Sequence, residues 1–370
     1  MKSKRFFALL LFLLLLGGSL YWYFFIYKPG QMPMDLTLIS KNPIRIKKDD
    51  SIHFYSGGFA VSGEKTDFYS FEGVKVNNPI KQVSTPFTIK FSTENYALIS
   101  DVFLYNTSRL PFQLVKEITG GTVLHMKEYY NLLLLLVKNE SGESEPYAFN
   151  PKSEQFMALE NPKQIEFLDC SADPKSGDFS VLTVEYSGSF PTARIFHYTN
   201  DLLPYGALSL EDELYYRIYR LPNHFILVGT HQILCYNMDG TEAWKIKAPA
   251  LNHQAVFLDS GLLLYMNDVN LDPNGNNSLL IHLDGSFETI SVQRGIRQIQ
   301  PYRGGALGLE EDNVIVFMNK DGKLVKRTRI NNTKIQNIYV SRLNYDYLYL
   351  RTTNDQLFVF STRPRKDDSR

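Results

Sequence analysis

The sequence is short of several features that define common functional classes. It has only two cysteines, Cys170 and Cys235, in 370 residues, which excludes a disulfide framework and a cysteine-rich zinc module. Both lie in apolar, strand-like stretches, so we expect two buried free thiols. There is no excess of charge, because 39 Lys and Arg balance 39 Asp and Glu. Nucleic-acid-binding domains usually have a basic surplus, so we expect no nucleic-acid partner.

Motifs of familiar enzyme classes are also missing. The seven histidines, at positions 53, 125, 197, 224, 231, 253 and 282, show no metal-binding spacing. His197 and His282 lie inside repeated strands, where we expect packed or hydrogen-bonded rings. Neither a Gly-x-Ser-x-Gly elbow nor a Gly-x-x-x-x-Gly-Lys phosphate loop occurs. We therefore favour a protein that is not an enzyme, and no catalytic residue is predicted.

One long hydrophobic run is present, at the amino terminus. It extends over 22 uncharged residues from Phe6 to Tyr27, and three basic residues precede it. As a helix it measures about 33 Å, enough to cross the hydrocarbon core of a bilayer. The sequence therefore predicts a short cytoplasmic amino terminus over residues 1–5 and a transmembrane signal-anchor helix over residues 6–27.

Cleavage of this run as a secretory signal is the alternative, since Gly17-Gly18-Ser19 offers small residues at a processing position. Cleavage there would leave an exposed hydrophobic amino terminus from Leu20 to Tyr27, so we favour an uncleaved anchor. No cysteine follows the run, which excludes a bacterial lipoprotein anchor. The leading basic residues predict a single-pass protein of the cytoplasmic membrane with its carboxy-terminal domain outside.

A repeated segment dominates the rest of the chain, beyond a spacer at residues 28–43. Each copy is a short alternating strand, a polar turn and a second strand, typical of a β-hairpin. The copies are DFYSFEGVKV (67–76), VFLYNTSRLPFQLV (102–115), YAFNPKSEQFMAL (147–159), RIFHYTNDLLPYGAL (194–208), ILCYNMDGTEAWKI (233–246), LLIHLDGSFETISV (279–292), VIVFMNKDGKLVKRTRI (314–330) and QLFVFSTRPRK (356–366). Their turns recur about every 41 residues, a period typical of propeller blades.

The repeats predict an all-β protein, a β-propeller over residues 44–362 followed by a charged tail at 363–370. Eight blades are favoured, seven are the alternative, and two packed β-sandwiches are a further possibility. The last copy has no second strand of its own. We expect the segment from Met34 to Ser40 to supply that strand, which would close the ring near the anchor.

Two segments carry a resemblance to known propellers. ILCYNMDGTEAW (233–244) resembles the repeat of quinoprotein-like, PQQ-repeat propellers, although its Trp occurs in one copy only, as Trp244. SGGFAVSGEKTDFYSFEGVKVNNPIKQVSTPFTIKFSTENYALISD (56–101) resembles uncharacterised bacterial propeller proteins anchored by one amino-terminal span. The resemblance implies a fold and a location, and no catalytic motif comes with it.

One loop has the composition of a cation site. Asp268, Asn270, Asp272, Asn274 and Asn276 alternate with spacer residues, and alternating oxygen donors suit Ca²⁺. This sequence departs from the EF-hand pattern at two positions. The twelfth position has no acid to bind calcium with both oxygens, and in one of the two alignments proline replaces the required glycine. Two interpretations stay open, a weak calcium site formed by Asp268, Asn270, Asp272 and Asn274, or a solvated hairpin loop. No other cofactor is predicted.

Together these patterns predict a membrane-tethered, extracytoplasmic propeller. The favoured role is a non-enzymatic scaffold that binds a protein or cell-envelope partner and is attached to the membrane through residues 6–27. The alternative is a glycan- or small-ligand-binding propeller, or an enzyme using the central channel. The adjacent acids Glu310, Glu311 and Asp312 would be its candidate carboxylates, although such runs usually mark solvated turns. A sensor that signals into the cytoplasm is the least favoured role, because only five residues precede the predicted span.

Overall fold

The computed structural model describes residues 36–363, with gaps at 41, 82, 84–85, 130–131, 152, 160–164, 187–190, 212, 249–252 and 332. The predicted anchor at residues 6–27 lies outside this part of the chain, as does the tail beyond Arg363. Among the described residues, no helix has the length and apolar character needed to cross a bilayer.

Short antiparallel strands form eight sheets. Two strands precede the first complete sheet: β1 (Thr37–Leu38) and β2 (Ile44–Arg45). The first four blades are β3 (Ser51–Tyr55), β4 (Gly58–Ser62), β5 (Thr66–Ser70) and β6 (Lys75–Val76); β7 (Ile89–Ser92), β8 (Tyr96–Ile99), β9 (Phe103–Asn106) and β10 (Gln113–Glu117); β11 (Gly121–Tyr129), β12 (Leu132–Asn139), β13 (Ser144–Asn150) and β14 (Gln155–Ala158); β15 (Ile165–Ala172), β16 (Phe179–Glu185), β17 (Thr192–Tyr198) and β18 (Pro204–Leu210).

The remaining four blades follow the same plan. They are β19 (Tyr215–Arg220), β20 (His224–Gly229), β21 (Gln232–Asn237) and β22 (Glu242–Lys247); β23 (His253–Leu258), β24 (Gly261–Met266), β25 (Ser278–His282) and β26 (Phe287–Ile290); β27 (Ile296–Tyr302), β28 (Gly305–Glu310), β29 (Val314–Met318) and β30 (Leu324–Arg329); and β31 (Ile335–Ser341), β32 (Asn344–Thr352) and β33 (Gln356–Ser361), completed by β1 and β2.

This arrangement is an eight-bladed β-propeller, as the repeat period predicts. Within each blade neighbouring strands pair antiparallel, and seven of the repeated segments recognised in the sequence are the third and fourth strands of their blades. The eighth segment, 356–366, contains the third strand β33 only. The alternatives of seven blades and of two packed sandwiches are wrong. Middle strands such as β24, with the sequence GLLLYM, are buried along their whole length, because neighbouring blades cover both of their faces.

Apolar side chains form eight clusters, one between each pair of neighbouring blades. The eighth cluster joins the last blade to the first, where Tyr349 and Val359 pack with Ile46, Phe59 and Val61. Since no blade can cover both faces of its own sheet, this circular burial of apolar area is what stabilises the ring.

The ring is closed by residues from near the start of the described chain. Thr37 pairs with Ser361 in β33, and Ile44 pairs with Leu357 of the same strand. The outer strand of the last blade is therefore made of two pieces, β1 and β2, and the second extends beyond the segment proposed from the sequence. Arg351 of β32, 5% exposed, donates hydrogen bonds to the carbonyl oxygens of residues 47, 48 and 50 and so holds the chain that follows β2.

Glutamine side chains on the inner strands connect neighbouring blades. Gln298 of β27 pairs with the backbone of Ile338 in β31, accepting from its N–H and donating to its C=O, both at 2.9 Å. Gln300 makes the same kind of contact, with Ile338 C=O and Val340 N–H. These amides replace the backbone hydrogen bonds that the first strands of separate blades cannot make to each other.

Replacing Gln298 with Met is expected to destabilise the chain by about 1–3 kcal/mol, the cost of leaving the Ile338 N–H unsatisfied. The Ile338 carbonyl keeps its bond from Gln300. Chemical denaturation of the purified chain measures the loss. The matched control is Gln336→Met, at an exposed position of β31, which should change the free energy of unfolding by less than about 0.5 kcal/mol. Equal effects of the two changes would contradict the assigned role.

Candidate functional site

The inner strands of the third to sixth blades share a cluster of polar side chains. Lys127 of β11 places its Nζ 2.9 Å from Asp169 Oδ1 and 2.8 Å from the Cys170 carbonyl, both on β15. The other oxygen of Asp169 accepts the backbone N–H of Ile218 in β19 at 3.1 Å. One buried carboxylate therefore joins three consecutive blades.

The next contact along the same circle is made by aromatic side chains. The hydroxyl of Tyr219 lies 2.9 Å from His253 Nε2, and that of Tyr216 lies 3.4 Å from His253 Nδ1. Burial raises the pKa of Tyr219 well above its ordinary value, so the phenol stays protonated at neutral pH. The three rings connect β19 to β23, the inner strands of the fifth and sixth blades.

His125 and Arg217 complete the cluster with exposed side chains. The pKa of His125 is lowered, first by partial burial and then by the charges of Lys127 and Arg217, against the opposing effect of Asp169. His125 is therefore neutral at pH 7, and the permanent charges are two cations and one carboxylate. Most of the polar atoms here bond to one another, so the arrangement connects the blades. None of this group was singled out from the sequence.

The proposed calcium residues lie together in the loop between β24 and β25. Asp272 Oδ1 accepts the backbone N–H groups of Asn274 and Asn276, and its Oδ2 accepts from the Asn276 amide and the Thr289 hydroxyl at 2.7 Å each. Asp268 accepts from Asn267 and Asn270 accepts from Arg294. Hydrogen bonding, led by Thr289, lowers the pKa of Asp272. Among the described residues no group of three or more His, Cys, Asp or Glu is arranged to hold a metal.

This geometry favours the hairpin interpretation, and the calcium site stays a prediction. Because both oxygens of Asp272 already accept bonds from the loop itself, we expect calorimetric titration with millimolar calcium to give no binding heat. The matched variant is Asp272→Ala. Heat that appears in the unaltered chain and vanishes in this variant would restore the calcium interpretation.

The acidic run at the end of β28 is divided by the structure. Glu310 is 6% exposed and its Oε2 lies 2.5 Å from the guanidinium of Arg327. Asp312 lies on the surface, 3.8 Å from Arg329, and Glu311 is exposed. The sequence interpretation of this run as a solvated turn is wrong for Glu310, because β28 continues to that residue and buries it.

Both cysteines are buried free thiols, as expected. Burial raises the pKa of Cys170 and of Cys235 to about 12, so neither is a thiolate at neutral pH. His197 is also buried, with its Nδ1 2.8 Å from the Ser180 hydroxyl and its ring against Phe225. The prediction of a packed, hydrogen-bonded His197 is confirmed, whereas His282 is partly exposed, 3.8 Å from Glu288.

Burial, and then the charge of Arg220, lower the pKa of His197 to about 4. An unfolded histidine titrates near 6.5. Between these values only the unfolded state binds the proton, so the free energy of unfolding falls as pH decreases, by about 3 kcal/mol for this group. Denaturation curves at pH 7, 6 and 5 should show the fall, and His197→Gln should reduce its slope. His53, with a pKa also lowered to about 4, accounts for a similar share. An unchanged slope in the His197 variant would contradict this assignment.

Eight of the fifteen large apolar side chains that are exposed in the described residues lie on the outer strands of the blades. They include Leu38 on β1, Val76 on β6, Leu114 on β10, Met157 on β14, Tyr205 on β18, Phe287 on β26, and Leu324 and Val325 on β30. We call these outer strands the rim. The rim is the second candidate region, because it carries about half of these exposed apolar side chains.

Comparison with known proteins yields neither a matching family model nor a matching curated protein. Among solved structures, BamB from Moraxella catarrhalis aligns with a TM-score of 0.48 and 14% identity, over 88% of this chain and 98% of that one. The WD40 domain of Neurospora crassa Pan2 gives 0.43 and 9%, over 74% and 87%. Hsv2 from Kluyvelomyces marxianus gives 0.44 and 12%, over 65% and 77%. The propeller assignment rests on the strand pairing described above.

Proposed function

We propose that this protein is a non-enzymatic scaffold, held at the outer face of a bacterial cytoplasmic membrane by residues 6–27, whose propeller binds a protein or cell-envelope partner. The observation that carries the proposal is the distribution of exposed apolar side chains on the rim. Inside the ring, polar atoms mainly bond to neighbouring blades. At the rim, by contrast, apolar groups and strand edges remain available to a partner.

Site-specific photocrosslinking tests this role. A photoreactive amino acid at Leu114, Phe287 or Val325, all exposed on the rim, should yield crosslinked protein bands from intact membranes. The same residue at Arg217, near the axis, is the matched control and should yield none. Turnover of a glycan by the purified chain, lost in Asp169→Asn, would contradict the scaffold and support the channel alternative.

Membrane topology has a separate test. Both native cysteines are buried, so an added surface cysteine can be labelled selectively. Glu117→Cys, at an exposed position of β10, should react with a membrane-impermeant maleimide in intact cells, and Ser3→Cys only after lysis. The opposite pattern would place the propeller in the cytoplasm and overturn the proposed location.

A ligand-binding role near the axis is the second candidate. It is favoured by the phenol groups of Tyr216 and Tyr219 beside His253, with the exposed Arg217 on the same strand as both tyrosines. Aromatic rings next to hydrogen-bonding groups suit sugars. Glycan-array binding that is lost in Tyr219→Ala would support this role.

A further inference from the structure

The outer strand of the fourth blade, β18, differs from the other rim strands in its lack of charge. Its seven residues have the sequence PYGALSL, and all but Leu208 and Leu210 are exposed. Most other outer strands contain Lys, Arg, Asp or Glu, for example EAWKIK in β22 and LVKRTR in β30. The strand β14, QFMA, is also uncharged but only four residues long.

Charged residues on edge strands are a common protection against pairing with other chains. One edge of β18 pairs with β17 over residues 204–210. In the described part of the chain, no strand pairs with its other edge. A bulge opposite Tyr198 and the proline at position 204 protect the beginning of β18, which leaves residues 206–210 as the regular, unprotected part.

We propose that β18 binds an extended segment of a partner protein as an added strand, and that this segment has basic residues on both sides of an uncharged core. The proposal deepens the scaffold function and rests on it. Main-chain hydrogen bonds along residues 206–210 would provide the affinity, and alternate side chains would provide specificity.

The charge requirement follows from the two ends of the strand. Asp201 precedes β18 and Glu211 follows it, and both are exposed. Two cations lie nearby, and both are held within the chain: Arg194 of β17 is paired with Glu185 at 2.5 Å. Arg220 is buried and donates to the Leu221 and His224 carbonyls and, at 3.3 Å, to the Tyr205 hydroxyl of β18. Exposed acids therefore flank the open edge and attract a cationic strand.

A second copy of this chain fits the same edge poorly. Antiparallel self-pairing centred on Gly206 would set Asp201 of each copy beside Glu211 of the other. Parallel self-pairing would set each acid beside its own equivalent. Like charges opposite each other destabilise paired strands, so the observations favour a different, basic partner.

The experiment uses the full chain in detergent and two fluorescent nine-residue peptides. The probe is Lys-Lys-Val-Thr-Val-Thr-Val-Lys-Lys, and the control peptide has Glu in place of all four Lys. Fluorescence anisotropy should show at least tenfold tighter binding of the basic peptide. Hydrogen exchange measured by mass spectrometry should slow at residues 206–210 and at no other outer strand.

Two variants test the edge and the acids that flank it. Ser209→Lys, which adds the type of residue that protects natural edges, should weaken binding at least tenfold, and its matched control, Met157→Lys on β14, less than twofold. Asp201→Asn with Glu211→Gln should remove most of the preference for the basic peptide. Thermal melting confirms that each variant is folded.

Equal binding of both peptides, protection of a different strand, or an unchanged affinity in the Ser209 variant would overturn the proposal. So would concentration-dependent dimers of the unaltered chain that are lost in that variant, since they would assign the edge to a second copy. If the rim crosslinks a partner but the peptide does not protect β18, the scaffold stands and this inference fails. If the peptide protects β18 but the rim crosslinks no partner, β18 binds strands as inferred and the scaffold function fails.

Discussion

A chain with cysteines at positions 45 and 356 is expected to become more stable on oxidation, by about 2–4 kcal/mol. Arg45 of β2 lies opposite Gln356 of β33. The Ile46 N–H donates to the Asp355 carbonyl at 2.9 Å. Hydrogen-bonded and non-hydrogen-bonded pairs alternate along antiparallel strands, so positions 45 and 356 form a non-hydrogen-bonded pair. Such pairs have their Cα atoms about 4.5 Å apart, within the range that a disulfide requires.

The expected gain is large because the bond would link the two ends of the ring and close most of the chain into one loop. Guanidinium denaturation of the oxidised and reduced double variant, Arg45→Cys with Gln356→Cys, measures it. Each single variant serves as a control, and the buried Cys170 and Cys235 should not take part. An oxidised form no more stable than the reduced one would contradict the closure by β2.

The second large effect is expected for Asp169→Ala, which should lower the free energy of unfolding by about 2–4 kcal/mol. The side chain of Asp169 is 5% exposed, and its removal leaves the buried Ile218 N–H without an acceptor and Lys127 without its carboxylate. Breaking a buried ion pair by removing one partner costs about 3–5 kcal/mol. Because the Lys127 side chain is 36% exposed, part of that cost is relieved by water.

A double-mutant cycle with Lys127→Met isolates the pair. We expect Asp169→Ala to cost about 1–2 kcal/mol less when Lys127 is already replaced. Urea denaturation provides the four stabilities. The control is Asp312→Ala, which breaks an exposed pair with Arg329 and should change stability by no more than about 0.5 kcal/mol. An additive cycle would show that Asp169 and Lys127 do not stabilise one another.

The blade count could be predicted because each repeat is a local structure. In the segment 233–246, Asp239 and Gly240 form the hairpin turn between β21 and β22, and Gly240 has a φ of 85°, which glycine adopts without strain. The paired strands are separated by a few residues only. Alternating apolar residues and a turn are therefore enough to recognise the hairpin, and its recurrence indicates the number of blades.

The inner cluster could not be predicted in the same way. Asp169 lies in the sequence IEFLDCSA, where it interrupts an apolar strand without any recognisable motif. Its partners, Lys127 and the backbone of Ile218, belong to the previous and the next blade. The glutamines of β27 likewise bind to a strand of another blade. Such contacts depend on how blades stand beside each other, which no local pattern encodes.

The oxygen-rich loop shows a different limit of sequence reasoning. Alternating Asp and Asn residues are compatible with a cation site and with a hydrogen-bonded hairpin, because the same oxygens can accept from backbone N–H groups or bind a metal. Only the three-dimensional structure shows that the carboxylate of Asp272 accepts from the Asn274 and Asn276 backbone and the Thr289 hydroxyl.

The sequence alone thus predicted the outer hairpins of seven blades and the number of blades, which depend on residues close together in the chain. The anchor at residues 6–27 stays a prediction. The sequence also placed a closing strand within residues 34–40, where β1 lies. The tertiary structure added β2 to the closure and decided the polar connections between inner strands and the exposed edge of β18. Leu38 meets Phe360 only after every intervening blade has packed on its neighbour. The contacts of β1 and β2 with β33 therefore form only in the complete ring, and no single repeat contains them.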